Sequence, residues 1–280
     1  MQRAHNMLWV LTAVFAVAVV AGVFFAQLGI TMLQLLLMVG FALLHGALRY
    51  GARGIAAFAA LCLLVSTLFE NLGVATGFPF GPYFYTDALG PKLFYVPLLI
   101  APAYLSVGYL AWVLATVLIG DVRRGGDLLS TFATPFVATF IMVLWDLALD
   151  PTASTVERNW IWVEGGGFLG VPLSNYLGWF LTVFVFMQLF ALYLRARGPA
   201  NGAPQPKTYF LQAIAMYAIV ALNFVLVYLA HGSEPLTDAA GAPWRSGDIF
   251  ETAAITSIFA MGFVVALAAL TIARGIPPSR

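Results

Sequence analysis

Residues 145–151 read Trp-Asp-Leu-Ala-Leu-Asp-Pro, and residues 171–179 read Val-Pro-Leu-Ser-Asn-Tyr-Leu-Gly-Trp. The first block ends a long apolar segment, and the second block opens the next one. The residues between them include Trp160, Trp162, Glu164 and three consecutive glycines. Acidic, aromatic, glycine and proline residues are thus concentrated here, in a chain that has few polar groups elsewhere. This stretch predicts two helices joined by a loop that carries the working end of the molecule.

The composition indicates whether the apolar segments lie in water or in a membrane. Of the 280 residues, 62% are hydrophobic and 9% are charged, and the mean hydropathy is +0.93. Soluble domains carry about 25% charged residues, so the composition predicts an all-α, polytopic integral membrane protein. The sequence has no basic cluster that could neutralise a phosphate backbone, which argues against nucleic acid as a partner. The single cysteine, Cys62, lies inside an apolar segment, so no internal disulfide is expected.

Runs of about 20 apolar residues predict eight transmembrane helices. They cover residues 7–27, 30–49, 54–71, 93–119, 128–149, 173–194, 208–230 and 250–273. The first run is longer than the apolar region of a typical signal peptide, and a second run follows it almost at once, so it is predicted to be a helix. The weakest boundary lies at residues 27–29, where two helices need a very tight turn.

The charged residues test this division independently. If both termini are cytoplasmic, ten of the thirteen basic residues fall on the cytoplasmic side, and only Lys92, Arg158 and Arg245 fall on the other. The twelve acidic residues divide the other way, with only Asp121 and Asp127 on the cytoplasmic side. This is the positive-inside pattern. We therefore expect a multi-pass protein of the cell membrane with both termini in the cytoplasm.

The loops on the two sides differ in composition. Residues 196–207 are rich in proline and glycine and predict a cytoplasmic linker. Within a single membrane domain, this linker would divide a six-helix core, residues 1–195, from two C-terminal helices, residues 208–280. The external loops 72–92 and 150–172 instead carry many aromatic side chains. Interfacial aromatic belts account for some of these rings, but two such loops in corresponding places are less easily explained by that role alone.

Asp146 and Asp150 are candidate catalytic acids at the end of one predicted helix. Their spacing of four places both carboxyl groups on one face of a helix, although Pro151 is expected to bias Asp150 away from helical geometry. Two acids in apolar surroundings cannot both ionise cheaply, so one of them is expected to hold a proton at neutral pH. Glu70 has the same standing, because acids inside a span are functional by default. The alternative for each is a solvated helix terminus.

Three other motifs are set aside. Residues 165–170 satisfy G-x-G-x-x-G, but no strand precedes them and Pro172 follows, so they do not predict a nucleotide site. His5, His45 and His231 are scattered, which argues against a histidine-bound diiron centre. No nucleophile elbow or Cys-His arrangement occurs in the sequence. The residues therefore favour acid catalysis on an apolar substrate, with no metal and no cofactor.

Several blocks of sequence carry a resemblance to a known family. They are Glu70-Asn-Leu-Gly73, Gly77-Phe-Pro-Phe-Gly-Pro-Tyr83 with Tyr85, Gly90-Pro91, Trp145-Asp-Leu-Ala-Leu-Asp-Pro151, Trp160-Ile-Trp162 and Gly167-Phe-Leu-Gly-Val-Pro-Leu-Ser-Asn175 with Gly178-Trp179. In these blocks the chain resembles the membrane proteins of carotenoid biosynthesis that include the CruF-type carotenoid 1′,2′-hydratases and the bisanhydrobacterioruberin hydratases. The resemblance covers residues 65–195 well and the flanking helices by hydropathy only.

The resemblance implies a hydro-lyase that adds water across the terminal C1′–C2′ double bond of an acyclic carotenoid end, giving a tertiary alcohol. It implies an acyclic carotenoid substrate of the lycopene, γ-carotene or C50 type, in contact with membrane lipid. Other enzymes of carotenoid biosynthesis are the protein partners that it suggests. Which carotenoid reacts, and whether one or both ends react, stays open.

The roles of individual residues follow from the chemistry of alkene hydration. Protonation of the less substituted carbon needs a neutral carboxylic acid, for which Asp146, Glu70 and Asp150 are the candidates. A second carboxylate, with Asn175 or Asn71, would hold and deprotonate the attacking water. Aromatic faces stabilise the tertiary cation by about 2 kcal/mol or more when desolvated. The candidate substrate-binding rings are Trp145, Trp160, Trp162, Tyr176, Trp179, Phe80, Tyr83 and Tyr85.

Two other functions remain open at this point. Asp146-x-x-x-Asp150 resembles half of the Asp-rich diphosphate–Mg²⁺ site of an intramembrane prenyltransferase. Such enzymes need two acidic motifs and basic residues nearby, conventionally at the cytoplasmic face. Alternatively, the acids would form a proton relay in a lipid or carotenoid carrier or transporter. The products discriminate the three functions: a new hydroxyl group, a longer chain or no chemical change.

Overall fold

The computed structural model describes residues 2–25, 29–198 and 205–275. The helices are α1 (Gln2–Phe24), α2 (Thr31–Thr76), α3 (Ile100–Leu118), α4 (Leu128–Asp150), α5 (Leu173–Arg197), α6 (Lys207–Ala230), α7 (Ser246–Thr256) and α8 (Gly262–Ala273). A π-helical turn, Pro151–Val156, extends α4, and another, Ser257–Met261, joins α7 to α8. Within the described residues, seven helical segments are long and apolar enough to cross a membrane. The prediction of an all-α, multi-pass membrane protein is confirmed, while half of the predicted linker 196–207 lies outside the described residues.

The long helix α2 folds back on itself at Gly51. A straight helix of its 46 residues would be ~70 Å long, more than twice the ~30 Å thickness of the hydrocarbon core. Gly51 has φ 68° and ψ 172°, which is not helical. His45 precedes the break and Phe58 follows it, yet both pack edge-on against Tyr109 of α3. The N-terminal arm, before Gly51, and the C-terminal arm, after it, therefore lie side by side. With α2 counted as two arms, the described residues contain eight helical segments long and apolar enough to cross a membrane, which is the predicted number.

Charged residues gather at the ends of the bundle, as alternating spans require. At one end Arg49 forms an ion pair with Asp121 and donates to Thr116 Oγ1 at 3.1 Å. At the same end Arg195 donates to the carbonyl oxygen of Gly126 at 2.5 Å. The acidic residues that the sequence singles out lie at the opposite end. The orientation of the two ends relative to the cytoplasm stays a prediction.

The loops contain short strands in antiparallel pairs. They are β1 (Tyr83–Tyr85), β2 (Lys92–Leu93), β3 (Val96–Pro97), β4 (Trp160–Trp162), β5 (Pro235–Thr237) and β6 (Pro243–Arg245). β1 pairs with β4, β2 with β3, and β5 with β6. The helix predicted over 93–119 begins instead at Ile100, so that boundary is wrong. Pro97 disfavours helical geometry in the residue before it, and the β2–β3 turn places Phe94 at φ 58°.

The expectation that Pro151 would bias Asp150 away from helical geometry is also wrong. Asp150 has φ −59° and ψ −45°, and Pro151 has φ −58° and ψ −37°, so both are helical. The chain continues as the π-helical turn, which is wider than an α-helical turn. The wider turn makes room where a proline ring would otherwise clash with the carbonyl group four residues earlier. Asp146 and Asp150 consequently share one face of α4, as their spacing predicts.

The centre of the bundle is α3. Every residue from Tyr104 to Val117 is buried, which is typical of a helix that is apolar all round and enclosed by others. The C-terminal helices pack into the same core as the earlier ones. His45 contacts the backbone oxygen of Tyr209 on α6 at 2.8 Å, and Tyr217 on α6 donates to the backbone oxygen of Ile141 on α4 at 2.9 Å.

Candidate functional site

A two-stranded ribbon, β1 with β4, joins the two aromatic loops. Tyr83 lies opposite Trp162 and Tyr85 lies opposite Trp160. Because side chains alternate along a strand, these four rings occupy one face of the ribbon. The ring centroids are 4.9 Å apart for Tyr83 and Trp162 and 5.8 Å apart for Tyr85 and Trp160. The ribbon thus turns two phenol hydroxyls and two indole N–H groups toward the helices.

The phenol hydroxyls bind Glu70, which is buried near the end of α2. Glu70 Oε2 accepts from the hydroxyls of Tyr83 at 2.6 Å and Tyr85 at 2.9 Å, and Oε1 accepts from the hydroxyl of Tyr104 at 2.7 Å. A carboxylate can accept all three bonds because its oxygens offer about four lone-pair sites. Burial, followed by the charge of Glu70, raises the pKa of Tyr83 and of Tyr85 well above the ordinary value. Both phenols therefore remain protonated donors at physiological pH.

The indole N–H groups bind Asp150. Its Oδ1 accepts from Trp160 Nε1 at 2.7 Å and from Trp162 Nε1 at 3.2 Å. Asn175, in the first turn of α5, donates from Nδ2 to Asp150 Oδ2 at 2.5 Å and to Asp146 Oδ2 at 3.0 Å. One amide group thus bridges the two carboxyl groups of α4. Asp146 Oδ1 is buried and has no hydrogen-bond partner among the described residues.

A cavity of about 250 Å³, here called the substrate cavity, lies between the ribbon and the helices. Glu70, Asp150 and Asn175 line it from α2, α4 and α5. The aromatic side chains in its wall are Phe80, Tyr83, Tyr85, Tyr104, Trp145, Trp160, Trp162 and Trp179. A mostly apolar pocket with a few converging polar groups is the usual form of a small-molecule site.

Three of the wall rings form a packed group on one side of the substrate cavity. The rings of Tyr104 and Trp179 are stacked, with centroids 4.1 Å apart and an interplanar angle of 4°. Trp145 meets Trp179 edge-on, with centroids 5.9 Å apart. These contacts bring together rings from three helices, α3, α4 and α5, and fix the surface that they present to the cavity.

Most of the site residues predicted from the sequence line the substrate cavity, but three do not. Asp146 lies behind the wall, bonded to Asn175. Tyr176 is buried against Phe168, with ring centroids 5.6 Å apart, and its hydroxyl has no hydrogen-bond partner within the described chain. The third is the amide of Asn71. The catalytic and substrate-binding roles assigned to all these residues stay predictions.

Asn71 and Tyr104 show where the sequence and the structure differ. Asn71 donates to the backbone oxygen of Thr67 at 2.8 Å and accepts from the backbone N–H of Tyr95 at 3.0 Å, so it supports the β2–β3 hairpin. Tyr104 is not among the site residues predicted from the sequence, although its hydroxyl donates to Glu70. In an apolar run a tyrosine is typical of packing. One feature of the sequence could have identified Tyr104 as a site residue. It lies about one turn inside a span, where its buried hydroxyl needs a polar partner.

Comparisons with known proteins place the chain in a family. A family model described as "Carotenoid biosynthesis protein" matches residues 22–237, well over half of the chain. A curated relative, the bisanhydrobacterioruberin hydratase of Haloarcula japonica, is 37% identical over 143 residues, which cover 47% of this chain and 44% of that relative. No solved structure matches the chain significantly. The matched residues 22–237 include the whole ribbon and the carboxyl groups of Glu70, Asp146 and Asp150. Because this match covers well over half of the chain, the chain belongs to the carotenoid biosynthesis protein family.

Proposed function

We propose that this protein is a carotenoid hydratase, which adds water to the terminal C1′–C2′ double bond of an acyclic carotenoid end and gives a tertiary alcohol. The observation that carries the proposal is the substrate cavity, in which Glu70, Asp150 and Asn175 converge within aromatic walls. Family membership and the name of the relative support the same class of reaction. We expect the protein to lie in the cell membrane, in contact with membrane lipid.

The proton comes from the pair Asp146 and Asp150. Two buried carboxylates bridged by the single neutral amide of Asn175 would repel each other, so the pair holds one proton. Asp150 lines the cavity and Asp146 does not. Asp150 is therefore the acid that meets the substrate, and Asp146 is a positioning residue. The O–H bond of the acid breaks, a C–H bond forms at the less substituted carbon C2′, and a tertiary cation remains at C1′.

The cation and the attacking water use the other groups of the site. The rings of Trp145, Trp179 and Tyr104 shelter the cation through cation–π attraction. Glu70, fixed by its three hydroxyl donors, accepts a proton from water as the oxygen of that water bonds to C1′. The proton gained by Glu70 returns to the aspartate pair before the next cycle, so the enzyme is regenerated.

The body of the polyene lies toward the lipid. The residues that line this side of the cavity are Thr31 and Leu35 of α2 and Leu99, Ile100 and Ala103 at the start of α3. They are exposed or half-buried, so the wall that they form reaches the surface that the spans present to lipid. A volume of about 250 Å³ is below the ~300–1,000 Å³ of pockets for drug-sized ligands. The substrate cavity therefore holds the end group while the rest of the chain lies among the hydrocarbon tails.

The source of the new oxygen tests this function. The chain is expressed in a host that accumulates acyclic-ended carotenoids, and the pigments are analysed by mass spectrometry. We expect a product heavier by one water, formed without dioxygen and in the presence of chelators, with ¹⁸O entering from labelled water. Label from dioxygen would overturn the hydratase mechanism. A longer chain would instead indicate prenyl transfer, and unchanged pigment would indicate a carrier.

A further inference from the structure

A second cavity, of about 170 Å³, lies next to the substrate cavity, and Trp162 is a wall of both. We call it the outer cavity. Its lining includes Ser154, Thr155, Arg158, Trp162, Asp238 and Ala239. Two hydroxyl groups, a guanidinium group and a carboxylate lie in this lining beside the apolar side chains of Ile161, Trp162 and Ala239.

The outer cavity runs from the molecular surface to Trp162. Arg158 and Ala239 are exposed, whereas Ser154, Thr155 and Trp162 are buried. The floor is therefore formed by the π-helical turn that follows Asp150 and by the indole that binds Asp150. Among the described residues, Trp162 alone belongs to the linings of both cavities.

The wall contributed by the C-terminal part of the chain is held firmly in place. Asp238 accepts from Trp244 Nε1 at 2.8 Å and from the backbone N–H groups of Ala240 and Ala242 at 3.0 and 2.9 Å. Arg158 crosses to the same loop and donates to the backbone oxygen of Thr237 at 2.8 Å. These hydrogen bonds hold the loop that carries Asp238 in one position, so the outer cavity has a defined shape.

We propose that the outer cavity is the entry route of the water that the enzyme adds, with the Trp162 side chain as a movable partition. This inference rests on the proposed function. Hydration needs one water at the cation, yet an apolar pocket that shelters a cation must exclude bulk water. A separate route that carries some polar groups satisfies both requirements. A volume of about 170 Å³ is well above the ~10–15 Å³ that one water molecule needs, so the outer cavity has room for several waters.

The two indoles that bind Asp150 differ in how tightly they are held to it. The bond from Trp160 Nε1 is 2.7 Å long and the bond from Trp162 Nε1 is 3.2 Å long, so the bond from Trp162 is the weaker one. Trp162 can swing away while Trp160 and Asn175 still hold the carboxyl group of Asp150. Its movement would join the outer cavity to the substrate cavity directly beside Asp150.

A plug at the mouth of the outer cavity tests the route. Ala239→Trp, and the smaller Ala239→Leu, place bulk at the exposed mouth. The first readout is pulsed X-ray hydroxyl-radical labelling of the purified full-length protein, which oxidises side chains that contact water. We expect oxidation of Trp162 in the unaltered protein, severalfold less in Ala239→Trp and an intermediate value in Ala239→Leu. Trp112, which is fully buried in the core, is the unlabelled reference.

The second readout is turnover of carotenoid. We expect Ala239→Trp to lower kcat and leave KM for the carotenoid unchanged, because the plug lies outside the substrate cavity. Ala88→Trp, an exposed loop position that lines neither cavity, is the control for added bulk. Unlabelled Trp162 in the unaltered protein, or equal labelling and kcat in Ala239→Trp, would overturn the route. Loss of labelling on plugging, in a protein that forms no hydrated product, would support the water route and overturn the hydratase function alone.

Discussion

At the scale of single residues, the two carboxyl groups in the cavity wall have different donors. Asp150 is bound by indoles and an amide, and Glu70 is bound by phenols. Asp150→Asn and Glu70→Gln each keep the shape and remove one proton-transfer group. We expect turnover to fall by about 10²-fold or more in each, with the protein still present in the membrane. The measurement is product formed per amount of protein. Glu251→Gln, at an exposed acid of α7, is the control.

The variant Asp146→Asn distinguishes the role of Asp146 from that of Asp150. As a positioning residue behind the wall, Asp146 can be replaced by an amide that still accepts from Asn175, so we expect a smaller loss of turnover than in Asp150→Asn. The reverse order, with Asp150→Asn near normal and Asp146→Asn inactive, would assign the acid to Asp146. The sequence alone could not rank the two, because spacing places them on one face without saying which one meets the cavity.

Tyr104→Phe removes one donor from Glu70 and keeps the ring that stacks on Trp179. Hydrogen bonds to charged groups contribute about 1.5–3 kcal/mol, so we expect a lower Tm and a reduced turnover. Thermal unfolding in detergent and the carotenoid assay measure the two effects. Tyr228→Phe, at a partly exposed position on α6, serves as the matched change. Unchanged values in Tyr104→Phe would mean that the ribbon alone fixes Glu70.

At the scale of elements, the spans were predictable and the ribbon was not. Each span is an apolar run long enough to cross the bilayer, which hydropathy detects directly. The strands β1 and β4 have three residues each, too few to give a periodic signal, and they come from loops far apart in the sequence. The aromatic content of the loops predicted where a site would be. The hydrogen bonds of the folded ribbon show that the phenols bind Glu70 and the indoles bind Asp150.

The loop that precedes the ribbon depends on two close approaches at glycine. Phe80 lies between Gly73 of α2 and Gly178 of α5, where an added Cβ would come within 2.6 Å and 2.5 Å of its ring. Gly178→Ala would also place its Cβ 3.0 Å from the Cα of Phe80, so the backbone must shift. We expect a loss of about 1–3 kcal/mol in stability, measured as a lower Tm, with reduced turnover.

Gly167→Ala is the matched change for Gly178→Ala. It lies in the loop before α5, and an added Cβ there would have no neighbour within 4 Å. We expect its Tm to stay close to that of the unaltered protein. Equal Tm values for the two variants would mean that the close packing of Phe80 on α5 contributes little to holding the ribbon.

At the scale of the whole molecule, the sequence predicted the number of helical segments long enough to cross a membrane and the residues that share each end of the bundle. Hydropathy requires each run to cross, and alternation then assigns the loops to two sides. The packing of the loop at residues 238–239 over the π-helical turn was not predictable. It depends on long-range contacts such as the bond from Arg158 to Thr237, which join parts of the chain with no shared sequence pattern.

The orientation of the bundle is the prediction that belongs to this scale. The excess of basic residues at the Arg49 end predicts that this end faces the cytoplasm and that the substrate cavity lies on the outer side. Cys62 is the single cysteine and is buried, so the unaltered chain gives an unlabelled background. With a membrane-impermeant maleimide, we expect Ala240→Cys to react in intact cells and Arg124→Cys only after permeabilisation. The opposite result would place the site at the cytoplasmic face, and reaction of both positions from one side would contradict the eight crossings.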